Sequence, residues 1–323
     1  MSEHLVCAVL EPSTAGSLPI FPNFKPLEMS DRAAIEAFTQ RFEPYSDFCF
    51  STLIFYDINH HTYWCWLNGN LVLRFCDSFG PGTYLTFLGV EEPAATADAL
   101  IDYAAAMDYS MTLSRVPEVT AQAIESESDC FNIEEDRDAF DYVYVTNPLA
   151  RLESHAFATH RRKIGLFQRQ HPQHHLVHLD LGSFKELASV RSTLAQWRPL
   201  KHGTDTLAFY CSALEICLSH ASAFHLDALG LFVDNAMVGF NLTERMRGRW
   251  LLSHFQAFDP TFRTASTFLF HQMVDHASGL GLQHFNYQED MGYPGLRRYK
   301  TDWSPSGFLR KFSVSQAKDR ARC

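Results

Sequence analysis

The chain lacks the marks of several large enzyme classes. No Gly-x-x-x-x-Gly-Lys-Ser/Thr occurs, which argues against a P-loop nucleotide hydrolase. No Gly-x-Gly-x-x-Gly follows a strand-like run, and Gly279-Leu280-Gly281 is too short to form one. No Gly-x-Ser-x-Gly occurs, so a nucleophile-elbow hydrolase is disfavoured. The eight cysteines (7, 49, 65, 76, 130, 211, 217 and 323) include no Cys-x-x-Cys pair. A structural zinc site, whose ligands come in close pairs, is therefore not expected, and reduced, mostly buried thiols are. No apolar run approaches the roughly 20 residues of a membrane helix. The early apolar stretch Leu5 to Leu10 follows acidic Glu3 rather than a basic segment, so no signal peptide is read and the cytoplasm is the expected place.

What is present is ordinary globular material: 323 residues, 46% hydrophobic and 20% charged. That length allows about two domains with sizeable cores. The charge is lopsided. Residues 1–140 carry 22 acidic and 6 basic side chains, whereas residues 141–323 carry 15 and 21. The basic excess lies at the end, in Arg297, Arg298, Lys300, Arg310, Lys311 and the tail from Lys318 to Arg322. An acidic half repels nucleic acid and anionic lipid, so DNA and integral membrane association are not expected. A local basic segment still attracts phosphate at short range.

Periodicity divides the chain into alternating elements. A helix capped by Ser30 runs to about Arg41 with Ala34, Ile35, Phe38 and Phe42 on one stripe. Two β-rich runs, 62–67 and 70–75, flank Asn68-Gly69, a strong hairpin signal. A strand at 84–88, a helix at 94–107 and a short strand at 111–113 follow. The acidic stretch 125–138 reads as a connector and 142–145 as a strand. Asn147-Pro148 opens a helix that should reach about Gln170. A strand at 175–179 and helices at 183–197 and 206–221 come next. Then the first order returns: a hairpin of 228–233 and 237–242, a strand at 250–255, a helix at 264–279 and a strand at 284–287. A last strand is expected at 308–314. The pattern predicts an α/β (α+β) chain of two similar domains, 22–140 and 141–323, with mixed, largely antiparallel sheets. His171, His174, His175 and His178 flank Pro172 with no cysteine or carboxylate among them, which reads as an exposed loop, and no metal is expected.

Two segments could carry chemistry. In Asn286 to Lys300 a strand delivers polar residues, Glu289 and Asp290 follow, glycines shape a turn, and Arg297, Arg298 and Lys300 come next. Neighbouring carboxylates and cations shift one another's pKa, as general acid–base work requires. The alternative is an ion-paired loop that pins the last strand. In the second, His160-Arg161-Arg162-Lys163 and Arg169 lie on a helix, either as a solvated face or as a phosphate-gripping ridge.

The runs Glu289-Asp290-Met291-Gly292 and Pro294-Gly295-Leu296-Arg297, followed by Lys300, resemble the signature of the phosphatidylglycerol lysyltransferase C-terminal domain family, and its soluble bacterial members in particular. The basic helix Ala158 to Phe167, Phe24-Lys25-Pro26-Leu27, Pro44-Tyr45-Ser46 and Phe50 to Phe55 are similar too, so that the resemblance spans about residues 22–314. It implies two tandem acetyltransferase-like (GNAT) folds and kinship with FemABX-type transferases, which move an aminoacyl group from tRNA to an amine or hydroxyl. In acyl-CoA-dependent relatives of this fold, small residues at a helix N-terminus let backbone N–H groups approach a pyrophosphate. The matching place here, Arg263-Thr264-Ala265-Ser266-Thr267-Phe268, keeps the arginine but has Ser266 and Phe268 at the small positions, which weighs against coenzyme A.

The reading is therefore a cytoplasmic acyl or aminoacyl transferase with no tightly bound cofactor. Its co-substrate is an acyl donor, aminoacyl-tRNA or acyl-CoA. Glu289 or Asp290 is the expected base, Arg297 and Lys300 the expected oxyanion or phosphate partners, and Tyr287 and Tyr299 relays or positioners. Arg161, Arg162, Lys163 and Arg263 are expected to hold donor phosphates. The rival from another class is a non-catalytic metabolite- or partner-binding protein. Exposed Trp64 or Trp66, or Arg297 and Lys300 consumed by internal carboxylates, would favour it. The sequence leaves the acceptor and the oligomeric state open.

Overall fold

The computed structural model describes residues 18–76, 82–197 and 205–317. The basic tail from Lys318 and the apolar stretch Leu5 to Leu10 lie outside the described residues. The chain opens with β1 (Lys25–Pro26), α1 (Arg32–Thr39) and α2 (Phe50–Phe55). The hairpin β2 (Thr62–Leu67) and β3 (Asn70–Cys76) turns through Asn68 and Gly69 at φ 50° and 78°, the left-handed pair that a two-residue hairpin needs. β4 (Thr83–Leu88), α3 (Pro93–Ala106) and β5 (Leu113–Pro117) complete the expected order.

The acidic stretch then departs from expectation. Instead of a connector, residues 125–138 hold the end of α4 (Glu118–Glu127) and all of β6 (Phe131–Glu135). Thr120, Ala121 and Ile124 bury one face of α4, and half-buried Phe131 and Ile133 alternate along β6. Few apolar residues suffice because each lies at the right period.

β7 (Asp141–Val145) leads into a second difference. The long helix expected from Asn147 is broken into α5 (Thr146–Arg151) and α6 (Ala158–Gln170). Leu152 turns left-handed at φ 51° while its side chain stays buried. Ser154 caps the next turn at 3.2 Å, and the Arg161 guanidinium donates to the carbonyls of Leu152 and, at 2.9 Å, Ser154. These bonds satisfy groups that a helix break exposes.

The second half continues with β8 (His175–His178), α7 (Phe184–Trp197), α8 (Asp205–Ser219), β9 (Leu226–Val233), β10 (Ala236–Met246), β11 (Trp250–Phe258), α9 (Ala265–Gly279) and β12 (His284–Asn286). The end of the chain gives α10 (Pro294–Asp302), β13 (Gly307–Leu309) and β14 (Lys311–Gln316). α10 was not expected, since the glycines at 292 and 295 read as a turn with the cations following it. The single last strand expected at 308–314 is two strands that join different sheets.

The strands form sheets ordered β1-β2-β3-β4, β5-β14-β6 and β13-β7-β12-β11-β10-β9-β8. This is the mixed, largely antiparallel α/β class expected, with the order hairpin, strand, helix, strand in both halves. β11 and β12, joined through α9, pair in parallel. The expected boundary at 140/141 falls between β6 and β7, yet β14 returns across it to lie between β5 and β6. The cores also join: Phe55 meets Phe224 at 5.0 Å and Tyr56 stacks on Phe255 at 5.9 Å. Cys49, Cys65, Cys211 and Cys217 are buried, as expected of thiols. Cys130 is disulfide-bonded, which corrects that expectation at one position.

Candidate functional site

The site forms where two parallel strands part. The register of β11 with β12 covers Trp250↔His284, Leu251↔Phe285 and Leu252↔Asn286, and then ends. β11 continues alongside β10, while the chain after β12 leans on β7. Tyr287 N donates to Tyr142 O at 2.9 Å and Tyr142 N to Gln288 O at 3.1 Å. Side chains span the gap. Gln288 Nε2 donates to Ser253 O at 2.6 Å, and Tyr287 Oη donates to Gln256 Oε1. Tyr287 is buried, and burial pushes its phenol pKa well above the usual value. Tyr299 Oη donates to Ser266 O at 3.3 Å, with its pKa pushed up to about 12 by burial. Both phenols stay protonated near neutrality and brace the loop rather than exchange protons.

The loop beyond is tightly wound. Gln288, Met291 and Gly292 have φ of 55°, 52° and 73°. The left-handed φ of Gly292 strains any other residue there, and a Cβ, 2.5 Å from Asp138 Oδ2, would also push the Asp138 side chain aside. Asp290, with 0% exposure, anchors the turn. Its Oδ2 accepts from Tyr142 Oη at 2.6 Å, Arg297 Nε at 2.9 Å and Arg137 at 3.3 Å. Its Oδ1 accepts from Arg297 at 2.8 Å and Gly292 N at 2.9 Å. Burial pushes the Asp290 pKa up, but the bonds from Arg297, Tyr142 and Gly292 outweigh it and hold the carboxyl below the usual range. A carboxylate with both oxygens filled is poorly placed to take a proton, so the base role expected of Asp290 is not supported. Arg297 also reaches Asp138 at 2.5 Å, and its expected oxyanion role gives way to clamping the loop.

Lys300 projects from α10 beneath this loop and is 5% exposed. Its Nζ donates to the carbonyls of Tyr287 at 2.5 Å, Gln288 at 3.1 Å and Glu289 at 2.7 Å. Burial pushes its pKa down to about 8, against the pull of Glu289, Asp141 and Asp290. A depressed lysine pKa means that the unfolded chain binds more protons between about pH 8 and 10.4, so this group adds stability as pH rises through that window. Other groups titrate there, so the test is a difference. The stability of wild type relative to Lys300→Met should rise by up to about 3 kcal/mol between pH 7 and 10, followed by urea denaturation. A pH-independent difference would contradict the assignment.

Glu289 is the exception in this segment. Its Oε1 lies 3.4 Å from Arg115, a long contact, and its side chain is 14% exposed. Arg115 comes from β5 in the first half at φ 56°, a left-handed value that is strained for arginine. The same guanidinium donates to Asp47 Oδ1 at 2.6 Å. Behind it Lys311 is fully buried, in contact with Asp47 Oδ2, and donates to Asp141 Oδ1 at 2.8 Å and Ser46 Oγ at 3.2 Å. Burial opposes ionisation of Asp47, yet Lys311 and Arg115 pull its pKa down to about 2. Burial lowers the Lys311 pKa, and Asp141 and Asp47 more than restore it. Asp141 also accepts from Ser46 N at 2.7 Å and Asn286 Nδ2 at 3.2 Å.

Thus Glu289, Asp290, Tyr287, Arg297 and Lys300 do gather around one loop. Arg115, Arg137, Asp47, Asp141 and Lys311 join them without having been singled out as site residues. Lys311 left a trace, a lysine in a run of strand-forming residues. Arg115 left none, because its partners lie 68 and 174 residues away. The phosphate-binding residues are more scattered. Arg161 is engaged by the break between α5 and α6. Arg162 is exposed and Lys163 half-buried on α6, whose His160 ring packs tilted against Trp303, after α10, at 4.0 Å. Arg263 is exposed before α9. Among the described residues no group of three or more His, Cys, Asp or Glu could hold a metal ion, and no helix is long and apolar enough to cross a membrane.

No curated protein matches this chain in sequence. In structure it is similar to a conserved protein of unknown function from Bacteroides thetaiotaomicron VPI-5482, at 21% identity and a TM-score of 0.80, over 93% of this chain and 100% of that one. It is also similar to L-PGS from Bacillus licheniformis, at 11% identity and a TM-score of 0.62, over 95% of each chain. At these identities the likeness shows a common fold. The family description "Phosphatidylglycerol lysyltransferase, C-terminal" matches residues 40–315, a span that holds both α2 and the whole loop from Asn286 to Lys300. The chain belongs to the phosphatidylglycerol lysyltransferase C-terminal family.

Proposed function

We propose that the protein transfers an acyl or aminoacyl group from an activated ester donor to an amine or hydroxyl acceptor, with Glu289 as the base. The supporting observation is the contrast within one loop: Asp290 is saturated by short bonds, while Glu289 keeps one 3.4 Å contact and partial exposure. In this reading the acceptor nitrogen or oxygen attacks the donor carbonyl and its proton passes to Glu289. The developing oxyanion is held by the Arg115 guanidinium. Collapse breaks the donor ester bond, and the leaving oxygen or sulfur recovers the proton from Glu289. Lys300 positions Glu289 by gripping its carbonyl. Family membership supports a transferase. The failed small-residue positions at Ser266 and Phe268 favour a tRNA-borne donor over coenzyme A, with Arg162, Lys163 and Arg263 as its phosphate contacts. No bound cofactor is needed.

One observation favours a non-catalytic binding protein instead: Arg297 is consumed by Asp290 and Asp138. Lys300 is not, since it binds carbonyls, and Trp64 is buried with its Nε1 on Asp31 at 2.9 Å. A thermal-shift series decides between the readings. Total tRNA should raise the melting temperature, less so as salt increases and less so in Arg162→Ala/Lys163→Ala. A response to acyl-CoA alone would replace the donor, and silence to every donor would overturn the transferase reading.

A further inference from the structure

A groove of about 580 Å³ lies apart from the loop of Asn286 to Lys300, and none of its lining residues belongs to that loop. It opens between the turn after β1, the end of α2 and the end of α8. Leu27, Ile54 and Ile216 give it an apolar wall, the first two buried. Its charged groups are carboxylates. Asp57 is 7% exposed yet lines the groove. Its Oδ1 accepts from Thr62 N at 2.8 Å, while its Oδ2 faces His60 Nδ1 at 3.5 Å. That His60 side chain is 90% exposed, so it is free to turn away. Glu28 stands at the rim, 59% exposed. Lys25, the nearby cation, is shared between Glu28 at 2.9 Å and Asp31 at 2.5 Å, so one positive charge serves two carboxylates and none is spent on Asp57.

A buried carboxylate keeps its charge at low cost only with a close cationic or N–H partner. Asp57 Oδ2 has a long contact to a solvent-exposed imidazole in that place. The groove therefore combines an under-served anion with an apolar wall and repels phosphate and carboxylate ligands. We propose that it is a binding site for a small aliphatic amine. The ammonium sits on Asp57 Oδ2 in place of His60, and the alkyl body lies along Leu27, Ile54 and Ile216. A carboxylate that can accept directed N–H bonds distinguishes a primary ammonium from a quaternary one of equal charge.

Calorimetric titration with n-butylammonium and tetramethylammonium tests this on the full chain. Butylammonium should bind the wild type at least about tenfold more tightly than tetramethylammonium. Asp57→Asn, which keeps an acceptor for Thr62 N, should weaken butylammonium by about tenfold or more. His60→Ala should bind as well as wild type or better. If Asp57→Asn does not fold, Ile216→Lys places a resident ammonium in the groove and should abolish binding. Absence of binding, equal binding of the two cations, or full binding by Ile216→Lys would overturn the proposal. The site is independent of the transferase reading, since loss of donor response leaves this titration unchanged.

Discussion

Lys311→Met should lower stability by about 3–5 kcal/mol. The lysine ammonium is fully buried between Asp47 and Asp141, at the point where β14 of the last segment enters the sheet of the first half. Removing it leaves two buried carboxylates without their shared cation. Arg115 still serves Asp47, and Ser46 and Asn286 still serve Asp141, so the loss is that of a broken pair and not of the whole cluster. Adding Asp141→Asn to Lys311→Met should recover much of the loss, because the uncompensated charge goes too. The pH dependence has a definite sign. In Lys311→Met the buried carboxylates bind protons more tightly than in the unfolded chain, so the deficit should shrink as pH falls toward 5. Urea denaturation of the single and double variants reads both effects. A deficit under 1 kcal/mol would mean that the halves are held by their shared apolar core alone.

Glu289→Gln should cut transfer by about 10²–10⁴-fold while leaving folding and donor binding in place. Glutamine keeps the size of the side chain and can still meet Arg115 but cannot accept the acceptor's proton. Asp290→Asn separates the two carboxylates. It weakens the ion pair with Arg297 and should act first on stability, with activity following only as the loop loosens. If Asp290→Asn abolishes turnover in a fully folded protein and Glu289→Gln does not, the roles given to the two residues are reversed.

The fold was legible where local chemistry decides it. Asn68-Gly69 and Asp234-Asn235 both turn left-handed, as hairpin residues between strand-forming runs should. The i, i+3, i+4 spacing of Ala265, Phe268, Leu269, Met273, His276 and Leu280 places α9 within one residue of its observed start. It failed where few residues carry the signal or where the decisive contact is distant. β6 rests on Phe131 and Ile133 alone. The break at Leu152 is sustained by Arg161, nine residues on, which spacing rules do not reveal. The return of β14 to β5 and β6 is a pairing across about 200 residues, invisible to any local pattern. The same limit applies to the site. The segment from Asn286 to Lys300 stood out because its polar residues leave a buried strand. The division of labour within it did not, because it depends on Tyr142, Arg137 and Arg115, which reach the loop from other elements.

The most direct measurement is a single-turnover transfer assay. Wild-type protein is mixed with label carried as an aminoacyl ester on tRNA, or in parallel as an acyl thioester on coenzyme A, and with a mixture of amine and hydroxyl acceptors. The predicted result is loss of label from the tRNA ester matched by its appearance in an amide or ester product, slowed about 10²-fold or more in Glu289→Gln. Donor that stays intact with both carriers, or label that moves as fast with Glu289→Gln as with wild type, would contradict the account.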